Sequence, residues 1–229
     1  MTRARVCLML GGLLFAFEAS SACADLIVFY ESTNADGGLP ATTIASGVSA
    51  LDLSRGSGIF KNTTGSTYNS RDWTDAGTID GNDYLQWGWS DATVPFNLTD
   101  LDIRYDRSDK GPKQLEIRLS TNGGAFQSVF SDSSVDVNDE THLDIDLTGF
   151  TNVTSATFRL YAFDAESASG TFDIENDDSI SNGSVDGGIA VSGASVPEPS
   201  VLILTLLGAA IAGGSRLMRR SKVIVRTVL

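Results

Sequence analysis

Few side chains in this 229-residue chain have the type and spacing to do chemistry. His142 is its single histidine, so any Ser-His-Asp arrangement must use it. It shares the polar positions of an alternating segment with Asp144 and Asp146, and no Gly-x-Ser-x-Gly elbow presents a serine to it. An exposed strand histidine is the simpler account. Acidic residues are numerous enough to offer many carboxylate pairs for glycosidic hydrolysis, at separations a sequence does not give. Calcium suits them better. Residues 132–140 hold Asp132, Asp136, Asn138, Asp139 and Glu140, and residues 173–178 hold Asp173, Glu175, Asn176, Asp177 and Asp178, all hard oxygen donors. Neither run has the glycine and final glutamate register of an EF-hand. They read as solvated acidic loops or, if an ion binds, as a structural calcium site; no catalytic residue, metal ligand or cofactor is assigned.

Trp73, Trp87 and Trp89 form the other candidate group, a stacking surface for sugar rings. Leu85, Trp87 and Trp89 share one parity within a strand, however, and an apolar row of that kind belongs to a core. Asn62, Asn97, Asn152 and Asn182 each begin an Asn-x-Ser/Thr triplet, which in a Ser/Thr-rich chain arises by chance.

The elements that must carry these residues are strands. Residues 26–30 are continuously apolar. Leu115, Ile117 and Leu119 alternate with polar neighbours, as do Leu143, Ile145 and Leu147. Phe158, Leu160 and Ala162 oppose Arg159, Tyr161 and Phe163. In residues 98–105, parity sets Leu98, Asp100, Asp102 and Arg104 against Thr99, Leu101, Ile103 and Tyr105. A period of two marks strands with one buried and one wet face, and Asn122-Gly123-Gly124 and Asp36-Gly37-Gly38 are turn signals between them. The expected fold is all-β, a jelly-roll-like antiparallel β-sandwich over residues 25–194.

Charge divides the chain into three. Of 29 acidic and 16 basic side chains, residues 25–196 hold 27 and 9, a net of −18. Such a surface repels phosphate backbones, so nucleic acid is not an expected partner. Residues 1–24 read as a signal peptide: Arg3 and Arg5, an apolar stretch too short to span a bilayer, then Ala22-Cys23-Ala24, with cleavage after Ala24. Acylation of Cys23 is the lesser alternative. Both cysteines, Cys7 and Cys23, lie in this leader, so the mature chain has no thiol for a disulfide, a nucleophile or a zinc site. At the other end, Pro197 and Pro199 hold Val196 and Glu198 extended ahead of an apolar run over 201–214 that Arg216, Arg219, Arg220 and Lys222 close. Those charges stay cytoplasmic by the positive-inside rule, leaving the acidic domain outside. The run, taken as a transmembrane helix over 200–218, is short for a permanent anchor.

Val196-Pro197-Glu198-Pro199, an apolar segment and Arg219-Arg220, in that order on an exported chain, resemble the PEP-CTERM sorting signal of exopolysaccharide-producing Gram-negative bacteria. The resemblance implies a partner, exosortase, a membrane cysteine protease-transpeptidase that cuts near Pro-Glu-Pro. The sorting signal covers 195–222, and 223–229 is a basic and apolar tail beyond the usual end of such signals. The upstream region resembles the β-sandwich domain often found with these signals, through Leu53-Ser54-Arg55-Gly56-Ser57-Gly58, Asn69-Ser70-Arg71-Asp72-Trp73, Asn82-Asp83-Tyr84-Leu85-Gln86-Trp87, Asp106-Arg107-Ser108 with Gly111-Pro112, Ser120-Thr121-Asn122-Gly123-Gly124, and Phe158-Arg159-Leu160-Tyr161 leading to Gly170-Thr171-Phe172. That family usually closes with one strand; here Ile174 to Asn176 and Ile189 to Val191 are parted by an acidic loop.

These features point to a non-enzymatic exported protein. It is held transiently in the inner membrane, processed by exosortase and deployed at the cell surface or in the extracellular polysaccharide as a structural or adhesive module. The alternative is a carbohydrate-binding module docking exopolysaccharide through its tryptophans, against which their burial would count. A secreted hydrolase, needing two carboxylates about 5 to 9.5 Å apart, ranks last.

Overall fold

The computed structural model describes residues 24–137, 141–176 and 187–196. The leader up to Cys23, Asn138, Asp139 and Glu140, the loop 177–186, and everything from Pro197 onward, including Glu198, Pro199, the 200–218 run, Arg216, Arg219, Arg220 and Lys222, lie outside the described residues. Among the described residues there is no helix, and hence none long and apolar enough to cross a membrane.

Thirteen strands follow in order: β1 (Asp25–Tyr30), β2 (Thr43–Ile44), β3 (Val48–Arg55), β4 (Phe60–Lys61), β5 (Tyr68–Arg71), β6 (Tyr84–Ala92) and β7 (Phe96–Arg107). Then come β8 (Pro112–Thr121), β9 (Gln127–Asp132), β10 (Thr141–Asp146), β11 (Ala156–Ala165), β12 (Thr171–Ile174) and β13 (Ile189–Ser195). They build two antiparallel sheets. One runs β2-β1-β13-β7-β12-β5-β4 with β10 on the far side of β7; the other runs β3-β6-β11-β8-β9. The chain passes back and forth between the sheets, so each alternating strand turns its apolar parity inward. One core results, filled from the five-stranded sheet by Leu85, Trp87, Trp89, Leu115, Ile117, Leu119, Phe158 and Leu160, and from the eight-stranded sheet by Ile27, Val28, Leu101, Ile103, Tyr105, Phe172 and Val191.

Aromatic packing joins the layers. Trp87 and Phe158 stand directly opposite on β6 and β11 and stack at 5.5 Å with planes 4° apart. Trp89 meets Phe96 of the other sheet edge-on at 6.5 Å. Gly88, between the two tryptophans, has φ of 129°, and a Cβ there would lie 2.1 Å from the Ala156 carbonyl oxygen; glycine lets β11 approach this closely. Two tyrosine hydroxyls cross the sandwich. Tyr30 reaches the carbonyls of Leu51 and Gly88 and accepts from the Gly88 amide at 3.2 Å, while Tyr68 donates to Leu53 O (3.1 Å).

The expected strands are present, with one correction. Parity put Leu98 on the polar face with Asp100, yet Leu98 is buried together with Leu101 and Ile103. Between the pairs Val191↔Leu101 and Gly193↔Leu98, β7 uses one residue more than β13, a bulge that reverses the faces there. The turn signal is present as Asn122 and Gly123, both at positive φ (53° and 72°), closed by the Gly124 amide on Thr121 O (2.9 Å). β12 and β13 lie in line along the same edge of β7: Ile174 opposes Tyr105, Ile189 opposes Ile103, and Arg104 between them bonds both Glu175 N and Gly188 O. Gly188 N donates to Glu175 O (2.6 Å) where the two strands meet.

Candidate functional site

The tryptophans do not make a docking surface. Trp73, Trp87 and Trp89 are all buried, Trp73 with its indole N–H donated to Ser70 O (3.0 Å), so the core reading of this row is the correct one. What the sheet leaves outside is the opposite parity of the same strands.

Two rows cross the outer face of the five-stranded sheet. Ser54, Gln86, Arg159, Arg118 and Ser128 stand opposite one another from β3 to β9, and Tyr84, Tyr161, Glu116 and Ser131 form the next row. With strands about 4.8 Å apart, five of them span about 19 Å. The arginines organise both rows. Arg159 donates through Nε to Gln86 Oε1 (2.9 Å) and through Nη1 to the Tyr161 hydroxyl (3.4 Å). Its guanidinium lies 4.4 Å from the Tyr84 ring centre and 4.6 Å from that of Phe126, which the β8–β9 turn holds out at 36% exposure. Arg118 covers the Tyr161 ring at 5.2 Å and donates to Glu116 Oε1 at 2.8 Å. That bond, with a second from Ser128, draws the Glu116 carboxyl below its usual range, while Glu116 raises Arg118. Tyr84 and Tyr161 face each other across β6 and β11, ring centres 5.7 Å apart.

Two like charges directly opposite one another, Arg118 and Arg159, cost stability in an isolated strand pair. Here the aromatic rings and Glu116 offset that cost. The result is a strip in which Tyr84 and Phe126 offer rings beside guanidinium planes, fringed by donors (Arg118, Arg159) and acceptors (Glu116, Gln86), while Tyr161 is buried beneath Arg118. A pyranose presents apolar C–H faces and in-plane hydroxyls, so it needs flat partners beneath and forked polar partners beside it. The strip has both. Parity places Arg159, Tyr161 and Phe163 on the wet face; Arg159 and Phe163 are half-buried there, whereas the Arg118 guanidinium covers the Tyr161 ring and leaves the residue 5% exposed.

The remaining predicted residues are scattered. His142 is on the outer face of the eight-stranded sheet, its Nε2 3.2 Å from Asp102 Oδ1, in an exposed strand setting. Burial and the facing Asp144 push the Asp102 carboxyl up. Asp132 ends β9 and its Oδ1 accepts from Ser134 N (2.9 Å). Asn176 is a structural clamp, its amide paired with both backbone groups of Ser32. Of the two acidic runs, the first keeps only Asp132 and Asp136 among the described residues, and Asp173 of the second stands opposite Asp106 and Asn69 from distant strands. Among the described residues, no three His, Cys, Asp or Glu side chains group closely enough to hold a metal by themselves. Ala24 directly precedes β1, and the Val196 amide donates to Pro95 O (2.8 Å) just after β13.

No family model and no curated protein matches the sequence. Solved structures similar to it include a family 29 carbohydrate-binding module complexed with mannohexaose (12% identity, TM-score 0.44, covering 74% of this chain and 92% of that one). Another, complexed with cellulohexaose, gives 14%, 0.43, 74% and 91%. A third of the same family gives 13%, 0.42, 74% and 89%. At that distance the site stands on its own geometry.

Proposed function

We propose that this protein is an exported, non-catalytic adhesive module of the cell envelope or extracellular matrix, whose jelly-roll-like sandwich docks polysaccharide on the outer face of its five-stranded sheet. The observation that carries the reading is the strip of Tyr84, Arg159, Phe126, Arg118 and Glu116 on a rigid sheet, with Tyr161 buried beneath Arg118 as its support. Rings held in place by stacked guanidinium groups lose little freedom when a sugar settles on them, which favours binding.

Delivery is read from the termini. A signal peptide ending at Ala24 leaves the chain starting on the first residue of β1, so its removal takes nothing from the sheet. The Pro197-Glu198-Pro199 tag begins one residue after the amide of Val196 is tied to Pro95, at the edge of the folded domain. β1 pairs β13, with Asp25 opposite Gly193, so leader and tag leave from neighbouring strand ends. On this reading the chain is anchored transiently in the inner membrane, with Arg216, Arg219, Arg220 and Lys222 cytoplasmic, and is processed by exosortase.

The docking test is a glycan array and affinity electrophoresis in exopolysaccharide, comparing the wild type with Arg159→Ala and Tyr84→Ala. Both variants should lose retardation while keeping the wild-type melting temperature to within a few degrees. Retention of binding in both, or no binding by the wild type, removes the docking site. Sorting is tested separately: an exosortase deletion should leave a larger, membrane-held form, and an unchanged size and location would refute it.

A further inference from the structure

The eight-stranded sheet carries a second unusual row on its outer face. Asn69 of β5, Asp173 of β12 and Asp106 of β7 stand directly opposite one another on three adjacent strands. Opposed carboxylates repel, and Asp173 and Asp106 face one another directly across the β12–β7 ladder. One carboxylate oxygen is served: Asp173 Oδ2 accepts from Thr67 Oγ1 (3.1 Å) and Asn69 Nδ2 (2.6 Å). The other, Asp173 Oδ1, is buried with no hydrogen-bond partner.

An independent oddity lies beside it. Asn69 is 7% exposed, and its amide oxygen, Oδ1, is also buried and unpartnered. The bond from Nδ2 to Asp173 fixes which way the amide points, because turning it over would set oxygen against oxygen. An unmet buried acceptor costs about 1–3 kcal/mol, and two joined through one hydrogen bond are not a packing accident. Arg55 reaches β5 from the core side, where it donates to the Asn69 carbonyl at 2.9 Å and leaves the Asn69 amide oxygen unmet.

We propose that this row binds one hard divalent cation of the calcium type, held by Oδ1 of Asp173, Oδ1 of Asn69 and the Asp106 carboxylate, with the Thr67 hydroxyl beside it. Two carboxylates, an amide oxygen and a hydroxyl are an all-oxygen donor set, whose irregular supply from three strands suits calcium better than the strict octahedron of magnesium. The ion would relieve the carboxylate repulsion and pin β5, β12 and β7 together near the Asn176–Gly187 bridge.

The test uses the full chain, stripped with EGTA and titrated with CaCl2 against NaCl at matched ionic strength, followed by calorimetry and thermal melting. One ion should bind with a dissociation constant on the order of 0.1–1 mM, as in extracellular modules, and the melting temperature should rise with calcium alone. Asp173→Asn and Asn69→Ala should each abolish the calcium-dependent rise. Asp144→Asn, which removes an acid opposite Asp102 on the same face, should keep it. Absence of binding by the wild type overturns the proposal whatever the variants do; so does loss of the rise in Asp144→Asn, or its survival in Asn69→Ala, the variant that leaves every charge in place.

Discussion

Tyr30→Phe tests the argument that the two sheets are bolted together by polar contacts as well as by the apolar core. Tyr30 is fully buried on β1, and its hydroxyl crosses to β3 and β6, where it meets Leu51 O, Gly88 O at 3.0 Å and the Gly88 amide at 3.2 Å. Phenylalanine keeps the ring and its packing, so no cavity term enters beyond one oxygen atom. The variant loses one donated and one accepted hydrogen bond, each contributing about 1 kcal/mol net, and it leaves backbone groups short of partners at about 1–3 kcal/mol. The expected loss is therefore about 2–4 kcal/mol. For a domain of this size, 1 kcal/mol moves the melting temperature by roughly 2–4 °C, which gives a fall of about 4–16 °C. The assay is a thermal melt by circular dichroism with a matching urea titration, in which the midpoint should drop at unchanged slope. A fall under about 2 °C would refute the reasoning, since it would mean that strand ladders and water already satisfy those groups.

Burial also sets an alkaline limit. It pushes the hydroxyls of Tyr30 and Tyr105 up to about 12, from an ordinary value of 10.0. Because the folded value lies above the unfolded one, this stability is fully present below about pH 10 and is lost as pH rises through about 12, about 3 kcal/mol for each group. Phenolate absorbance should show both tyrosines silent at pH 11 while the fold persists, and a urea midpoint equal at pH 9 and pH 11.5 would count against the assignment. Gly88→Ala combines a φ of 129° with a Cβ 2.1 Å from Ala156 O. It should destabilise by more than Tyr30→Phe, about 3 kcal/mol or above, and a soluble variant with a wild-type melt would show that β6 and β11 can part there without cost.

Much of the domain was legible in the residues. The period of two along Leu115 to Leu119 and along Thr157 to Phe163 assigned each side chain to its face of the sheet, because a strand's alternation is a local property of its backbone, although Tyr161 on the outer face is buried beneath Arg118. Row parity likewise put Trp87 and Trp89 in the core, and Asn122-Gly123 specified a turn that needs two positive φ values. The acidic interruption before Ile189 was visible as a break in an otherwise apolar closing strand. Parity failed at Leu98, where a one-residue bulge, set by pairing with β13, reverses the faces. Short strands such as β2 and β4 left no pattern, since two residues carry no period.

Both outer-face rows, by contrast, depend on neighbours distant in the chain. Arg159 and Arg118 are 41 positions apart, and Asp173 lies 67 beyond Asp106 and 104 beyond Asn69. Alternation shows which face each occupies, but the residue across the ladder is chosen by sheet order and register, which only the packed sandwich supplies. The sequence alone thus determined strand faces and the core tryptophans. Tertiary structure decided which wet-face residues meet, because side chains gain cooperative chemistry only where separate strands bring them within a few ångströms of one another.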